Sequence, residues 1–199
     1  MIMKNILLFL FFLVSWIYSS AQHGEYLNNI KNYRVKYKAE HEVVKDNEKK
    51  YFRFFPVSFK YHIKADFERI YDTTGFIMKT SGKKTPKYYK YGRLSFRIND
   101  KLLKLTVYQG EQLMATDKYK DYLFVPYTDL TSGEESYGGG KYLEFYIKDI
   151  VNNKVWLDFN KAYNPYCAYA SGYNCPIPPR ENDLNVAIRA GEMMFAKEH

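Results

Sequence analysis

"LSFRINDKLLKLTV", residues 94–107, decides the architecture. Leu94, Phe96 and Ile98 take alternate positions, Asn99-Asp100 interrupt them, and Leu103, Leu105 and Val107 resume the alternation. Successive strand side chains point to opposite faces, so a period of two marks a strand buried on one side. Asn and Asp tolerate the left-handed backbone that a two-residue hairpin turn requires. The stretch predicts a β-hairpin closed at Asn99-Asp100.

Working outward, the same period returns. Phe55, Val57, Phe59, Tyr61 and Ile63 alternate and predict a strand, and Leu123 to Tyr127 is an apolar run of strand length. Leu143, Phe145 and Ile147 alternate up to Asn152-Asn153, with Val155, Leu157 and Phe159 beyond, which predicts a second hairpin. Leu184, Val186, Ile188 and Ala190 predict a last strand, although Leu184, Ile188 and Phe195 also suit a helix. Before all of these, Leu27, Ile30, Tyr33, Tyr37 and Val44 recur at helical spacings, so residues from Glu25 to about Val44 read as an amphipathic helix with a lysine-rich outer face. Many short strands with regular turns give a mainly β fold, a sandwich or barrel-like arrangement of antiparallel sheets, with an N-terminal helix.

The first residues, "MIMKNILLFLFFLVSWIYSSAQ", place one charge at Lys4 ahead of an apolar run from Ile6 to Ile17, then small residues at Ser19 and Ala21. That order is a secretory signal peptide, expected to be cleaved between Ala21 and Gln22. The run is shorter than the ~20 residues that span a bilayer, so stable membrane insertion is not expected after cleavage. Removal of residues 1–21 leaves 178 of the 199 residues and lowers the net charge from +8 to +7. That length suits one domain, residues 22–199, secreted or periplasmic.

In an oxidising compartment Cys167 and Cys175 read first as a disulfide. A metal site is the rival, but His23, His41, His62 and His199 all lie far from the cysteines in sequence, so no metal is expected. "KTSGKKTPKYYKYGR", residues 79–93, carries six basic residues and no acidic one. It suits polyanions, or else a solvated loop and strand edge; an exported protein seldom meets nucleic acid, and the loop reading is preferred. "PYTDLTSGEESYGGGKYLEF", residues 126–145, lacks the lysine-serine/threonine ending of a phosphate loop, and no cofactor is expected. Its Asp129, Thr131 and Ser132 are residues of side-chain-capped turns.

"DLTSGEESYGGGKY", "DFNKAYNPYCAY", "CPIPPREN" and "AIRAGE" occur in this order between Asp129 and Glu192. Together they resemble the pattern of the bacterial and archaeal family of unknown function DUF1684. The resemblance implies weight on Asp129, Thr131, Gly133, Tyr137, Gly138, Gly140, Asp158, Asn160, Tyr163, Asn164 and Pro165. It implies the same for Cys167, Cys175, Pro176, Glu181, Asn182, Gly191 and Glu192. Lys141 stands where the family favours arginine and Ser136 where it favours threonine, and lysine lacks the planar fork that grips an anion in two places. The family carries no assigned reaction.

Two functions from different classes follow. A binding or structural module would recognise a small polar ligand, a glycan or a peptide, through Thr131, Tyr137, Lys141, Asn160, Tyr163, Asn164 and Asn182. A hydrolase acting on a carbohydrate or envelope polymer would draw a carboxylate pair from Asp129, Asp158, Glu181 and Glu192. Each carboxylate has a plainer fate, capping a turn or pairing with Lys141, Arg180 or Arg189, and the binding module is the preferred expectation.

Overall fold

A computed structural model describes residues 22–197, so the predicted signal peptide lies outside the described residues. The chain divides into two compact units after Glu40. In the first, residues 22–39 form helix α1, on which the Tyr33 and Tyr37 rings stack at 6.2 Å. The helix ends earlier than its periodicity suggests: Glu42 to Val44 form a bend, and Val44 belongs to the second unit.

The second unit is a half-barrel built on one antiparallel sheet. Its strands are β1 (His62–Arg69), β2 (Phe76–Ile77), β3 (Lys87–Ile98), β4 (Lys101–Gly110), β5 (Tyr122–Asp129), β6 (Lys141–Tyr146), β7 (Lys154–Asp158) and β8 (Asp183–Leu184). The path through the sheet is β6-β5-β4-β3-β1-β7, with β2 beside β3 and β8 parallel to β5. The β3–β4 hairpin turns at Asn99 and Asp100, whose φ values of 49° and 62° are the left-handed pair that the turn requires. A bulge between Lys90 and Gly92 bends β3, and a Cβ on Gly92 would stand 2.3 Å from the Phe67 ring.

Three expectations are corrected. The run 55–63 is not one strand: Phe54 makes a single bridge to Glu192, Pro56 has no N–H to donate, Phe59–Tyr61 is a 3-10 turn, and the ladder starts at His62. The second hairpin is not a hairpin either. Asn152 and Asn153 do turn the chain (φ 52° and 55°), but only Val151 and Lys154 bridge across them. β6 pairs with β5 and β7 with β1, because the Asp149 carboxylate caps the Tyr146 N–H in a 3-10 turn that leads the chain off the sheet.

The last strand is two residues long, yet Leu184, Val186, Ile188 and Ala190 are all buried. Burying one large aliphatic side chain is worth roughly 1.5–3 kcal/mol, against about 1 kcal/mol net for a backbone hydrogen bond. The alternation therefore persists as burial where the ladder is lost.

The concave face of the sheet packs Leu94, Phe96, Leu105, Val107, Leu123, Val125, Leu143 and Phe145 into the main core, which the 184–190 segment closes. On the other face, Tyr108, Phe124 and Tyr142, of the opposite parity, form a second cluster with Tyr88, which lies beyond the β3 bulge, and with Met78. What covers that outer face is the segment holding Cys167 and Cys175.

Candidate functional site

The predicted site residues separate into two groups. One is a set of buried polar groups that hold loops to the sheet. Asn182 and Asn160 show its logic: a primary amide carries an acceptor and donors side by side, as a peptide does. The Asn182 amide accepts from the Thr106 N–H at 2.7 Å and donates to the Thr106 carbonyl at 2.9 Å and the Pro126 carbonyl at 2.7 Å. Asn160 does the same to Ser58, accepting from its N–H at 3.0 Å and donating to its carbonyl at 2.9 Å. Asp158 accepts from the Asn160 N–H and side chain.

Asp129 and Lys141 form an ion pair at 3.2 Å with both side chains fully enclosed. Asp129 also accepts from the Thr131 N–H at 2.6 Å, and the Lys141 ammonium meets the Thr131 hydroxyl and the carbonyls of Ile188 and Ala190 at 3.2–3.4 Å. Ser136, buried, shares a 2.8 Å hydrogen bond with the Thr131 hydroxyl. Burial holds the Lys141 ammonium below the usual lysine pKa, and the Asp129 charge opposes the shift. Its three donors fan out to separate oxygens, a geometry that an ammonium meets without arginine's fork. Gly140 (φ 85°) leads into this strand where a Cβ would stand 2.5 Å from the Tyr127 carbonyl.

Glu192 accepts from the Asn164 N–H at 3.0 Å and the Tyr169 hydroxyl at 2.7 Å. Glu181 accepts from Lys90 at 2.7 Å and the Tyr108 hydroxyl at 2.6 Å. Burial works to raise its pKa, but these two partners hold it below the usual carboxylate value. Tyr137 lies half-buried over Gly139. Asp129, Thr131, Lys141 and the 188–192 segment thus come together, while Asp158, Asn160, Glu181 and Asn182 stand at separate loop anchors.

The second group lines a cavity of about 310 Å3 on the outer face of the sheet. Strands supply Tyr88, Tyr122, Phe124 and Tyr142, and the segment from Tyr163 to Pro176 forms the facing wall. Cys167 and Cys175 are joined in a disulfide, as predicted. The loop it closes is tied down further: the Cys175 N–H donates to the Ser81 hydroxyl at 3.0 Å, and the Tyr142 hydroxyl donates to the Pro176 carbonyl. Tyr142 and Tyr163 also exchange backbone hydrogen bonds at 2.8 and 3.1 Å. The basic stretch contributes here as a loop, with Thr80 bridging to Pro176, while Lys87 pairs with Glu111 and Lys90 with Glu181.

Two carboxylates touch the lining phenols. Glu144 accepts from Tyr122 at 2.6 Å and Tyr163 at 2.8 Å, and Glu42 accepts from Tyr166 at 3.2 Å. Burial pushes the Tyr122 and Tyr163 hydroxyls well above the usual phenol pKa, and Glu144 adds to the shift, so both stay neutral donors. Asn164 Oδ1 has no hydrogen-bond partner among the described residues.

Of the predicted residues, Tyr163, Asn164, Pro165, Cys175 and Pro176 belong to this cavity; Tyr88, Tyr122, Phe124, Tyr142 and Glu144 were not anticipated. One signal existed: "YLFV", residues 122–125, is apolar at both parities, as a strand covered on both faces must be.

Among the described residues no group of histidines, cysteines and carboxylates is arranged to hold a metal ion, and no helix is long and apolar enough to cross a membrane. No curated protein sequence matches the chain. The fold is similar to the solution NMR structure of an uncharacterized protein of Haloarcula marismortui, with a TM-score of 0.65 and 28% identity over 87% of this chain and 96% of that one. Residues 49–193 match the model of the family described as "Protein of unknown function (DUF1684)", reaching well upstream of the motifs at 129–192, and the chain belongs to that family.

Proposed function

We propose that the protein is an exported binding module that seats a polar ligand with an apolar face, part of a glycan or a peptide, in the tyrosine-lined cavity. The observation that carries this reading is the cavity itself. Its volume of about 310 Å3 lies at the lower end of the roughly 300–1,000 Å3 typical of small-ligand sites. Its walls are rigid before any ligand arrives, because the disulfide, three prolines of the 165–178 segment and the Ser81 contacts fix the loop. Preformed walls spare a ligand the entropic cost of ordering them. Tyrosine suits glycan and peptide alike, offering a ring face and a hydroxyl. Export is supported by the N-terminal signal pattern and by the use of a disulfide.

The hydrolase reading takes second place. It requires two carboxylates across an open cleft, whereas Asp129 and Glu192 are enclosed, Asp158 binds Asn160, and Glu181 is occupied by Lys90 and Tyr108.

The experiment is a glycan and peptide screen by thermal shift, followed by NMR of the hits. Chemical-shift changes confined to Tyr142, Tyr163 and Asn164, and loss of binding in Tyr173→Ala at the half-exposed rim, are expected. Hits that shift only residues elsewhere, or turn over with loss on Glu181→Gln, overturn the reading.

A further inference from the structure

The chain has 30 Lys and Arg against 22 Asp and Glu, yet among the residues lining the cavity there is neither lysine nor arginine. The aromatic lining of this cavity therefore carries no positive charge of its own, while carboxylates stand at its edge. Phe124 and Tyr142 meet at 4.7 Å and 78°, Tyr142 and Tyr163 at 5.9 Å and 86°, and Tyr166 and Tyr173 at 5.3 Å and 68°. Rings at near-right angles present their faces in different directions, as the walls of a box do rather than a stack.

The ring face is the negative part of an aromatic quadrupole, and a cation placed against several faces is attracted by each. Attraction grows as water is removed, and this cavity is lined chiefly by carbon. Glu144 is fixed by two of the wall phenols, Tyr122 and Tyr163, and Glu42 by a third, Tyr166. Both phenols on Glu144 are held protonated, so the carboxylate charges are not joined by phenolates and stay at defined positions.

We infer that the group seated in the cavity is a methylated ammonium, the charge carried by a small choline-like compound or a phosphocholine headgroup. This rests on the cavity being the binding site. Methylation follows from the walls: a primary ammonium needs three acceptors and gives up strong hydration, whereas a methylated one spreads its charge over carbon and suits rings. The Pro176 carbonyl is engaged by Tyr142 and Glu144 Oε2 by two phenols, and Asn164 Oδ1, which has no hydrogen-bond partner among the described residues, supplies one acceptor where a primary ammonium needs three.

Calorimetric and NMR titration of the disulfide-bonded protein with choline and with 3,3-dimethylbutan-1-ol, its uncharged carbon isostere, tests this. Choline should saturate a single site about tenfold more tightly than the isostere, shifting Tyr142 and Tyr163. Glu144→Gln should weaken choline binding several-fold and leave the isostere unchanged; Glu42→Gln, at an exposed position, gives the same test should the first variant fold poorly. Phosphatidylcholine vesicles in a parallel sedimentation arm separate a lipid-borne from a free ammonium, and saturable binding in either arm supports the inference. Equal binding of choline and the isostere, or cavity hits from the glycan and peptide screen with none from either ammonium arm, overturns the ammonium while leaving the binding module standing. No cavity shift with any of these ligands removes both.

Discussion

The side-chain amide of Asn182 takes the place of a strand partner for Thr106, bonding its N–H at 2.7 Å and its carbonyl at 2.9 Å. β4 and β5 are joined in register only at Tyr108 and Phe124, and the amide fills the gap where their ladder is missing. Its third bond goes to the carbonyl of Pro126, a residue that itself has no N–H. Asn182→Ala strands three peptide groups in a buried site, each worth about 1–3 kcal/mol when left unsatisfied. A loss of at least about 3 kcal/mol in urea unfolding is expected; a loss below about 1 kcal/mol means the peptide groups find other partners.

The Asp129–Lys141 pair is fully enclosed. Removing one partner leaves an uncompensated buried charge, so Lys141→Met should cost about 3–5 kcal/mol, while Asp129→Leu combined with Lys141→Met should cost less than the sum of the two single changes. A double-mutant cycle by chemical denaturation measures this. Additive losses would show that the two charges do not depend on each other.

His41 predicts a specific acid sensitivity. Its ring lies edge-on to Phe52 at 5.0 Å and Tyr169 at 4.6 Å, and Nδ1 accepts the Val44 N–H at 3.1 Å. Burial chiefly, with the Lys49 charge, lowers its pKa from 6.5 to about 4. The folded state therefore resists a proton that the unfolded state accepts. Stability is unaffected by this group above pH 6.5 and falls as pH drops from there toward 4, by about 1–3 kcal/mol. His41→Phe, which keeps the aromatic contact, should flatten the melting temperature across that window. An unchanged acid slope in the variant would assign it to other groups.

The disulfide closes a span of 8 residues, for which chain entropy predicts a stabilisation of about 2.5 kcal/mol at most. Cys167→Ser with Cys175→Ser should lose no more than that globally. The larger effect is local: hydrogen exchange should rise over residues 165–176 and at Ser81, with β3–β4 protection retained. A uniform rise across the sheet would show that the loop supports the core and not only the cavity wall.

The β3–β4 hairpin was legible because its information is local: alternating apolar residues choose a face, and Asn99-Asp100 choose a turn. Asn152-Asn153 carried the same signal correctly as a turn and misleadingly as a hairpin. Pairing depends on which edge of the sheet is free when β7 arrives, and β1 offered one. At 184–190 the alternation reported burial, which it measures directly, and not hydrogen bonding, which it does not.

The polar motif residues divide along the same line. Their types were plain in the sequence, but amides and carboxylates recognise a backbone as readily as a ligand. Asn160 and Asn182 bind Ser58 and Thr106, at 102 and 76 residues' remove. Sequence by itself determined the β class, the hairpin turn, the disulfide and the family, all set by short-range periodicity, chain chemistry or a distinctive motif order. Tertiary structure alone decided which strands pair, which polar groups serve the fold, and that tyrosines from three strands and one closed loop meet around a cavity. Those relations join residues far apart in the chain, and only packing brings them within reach.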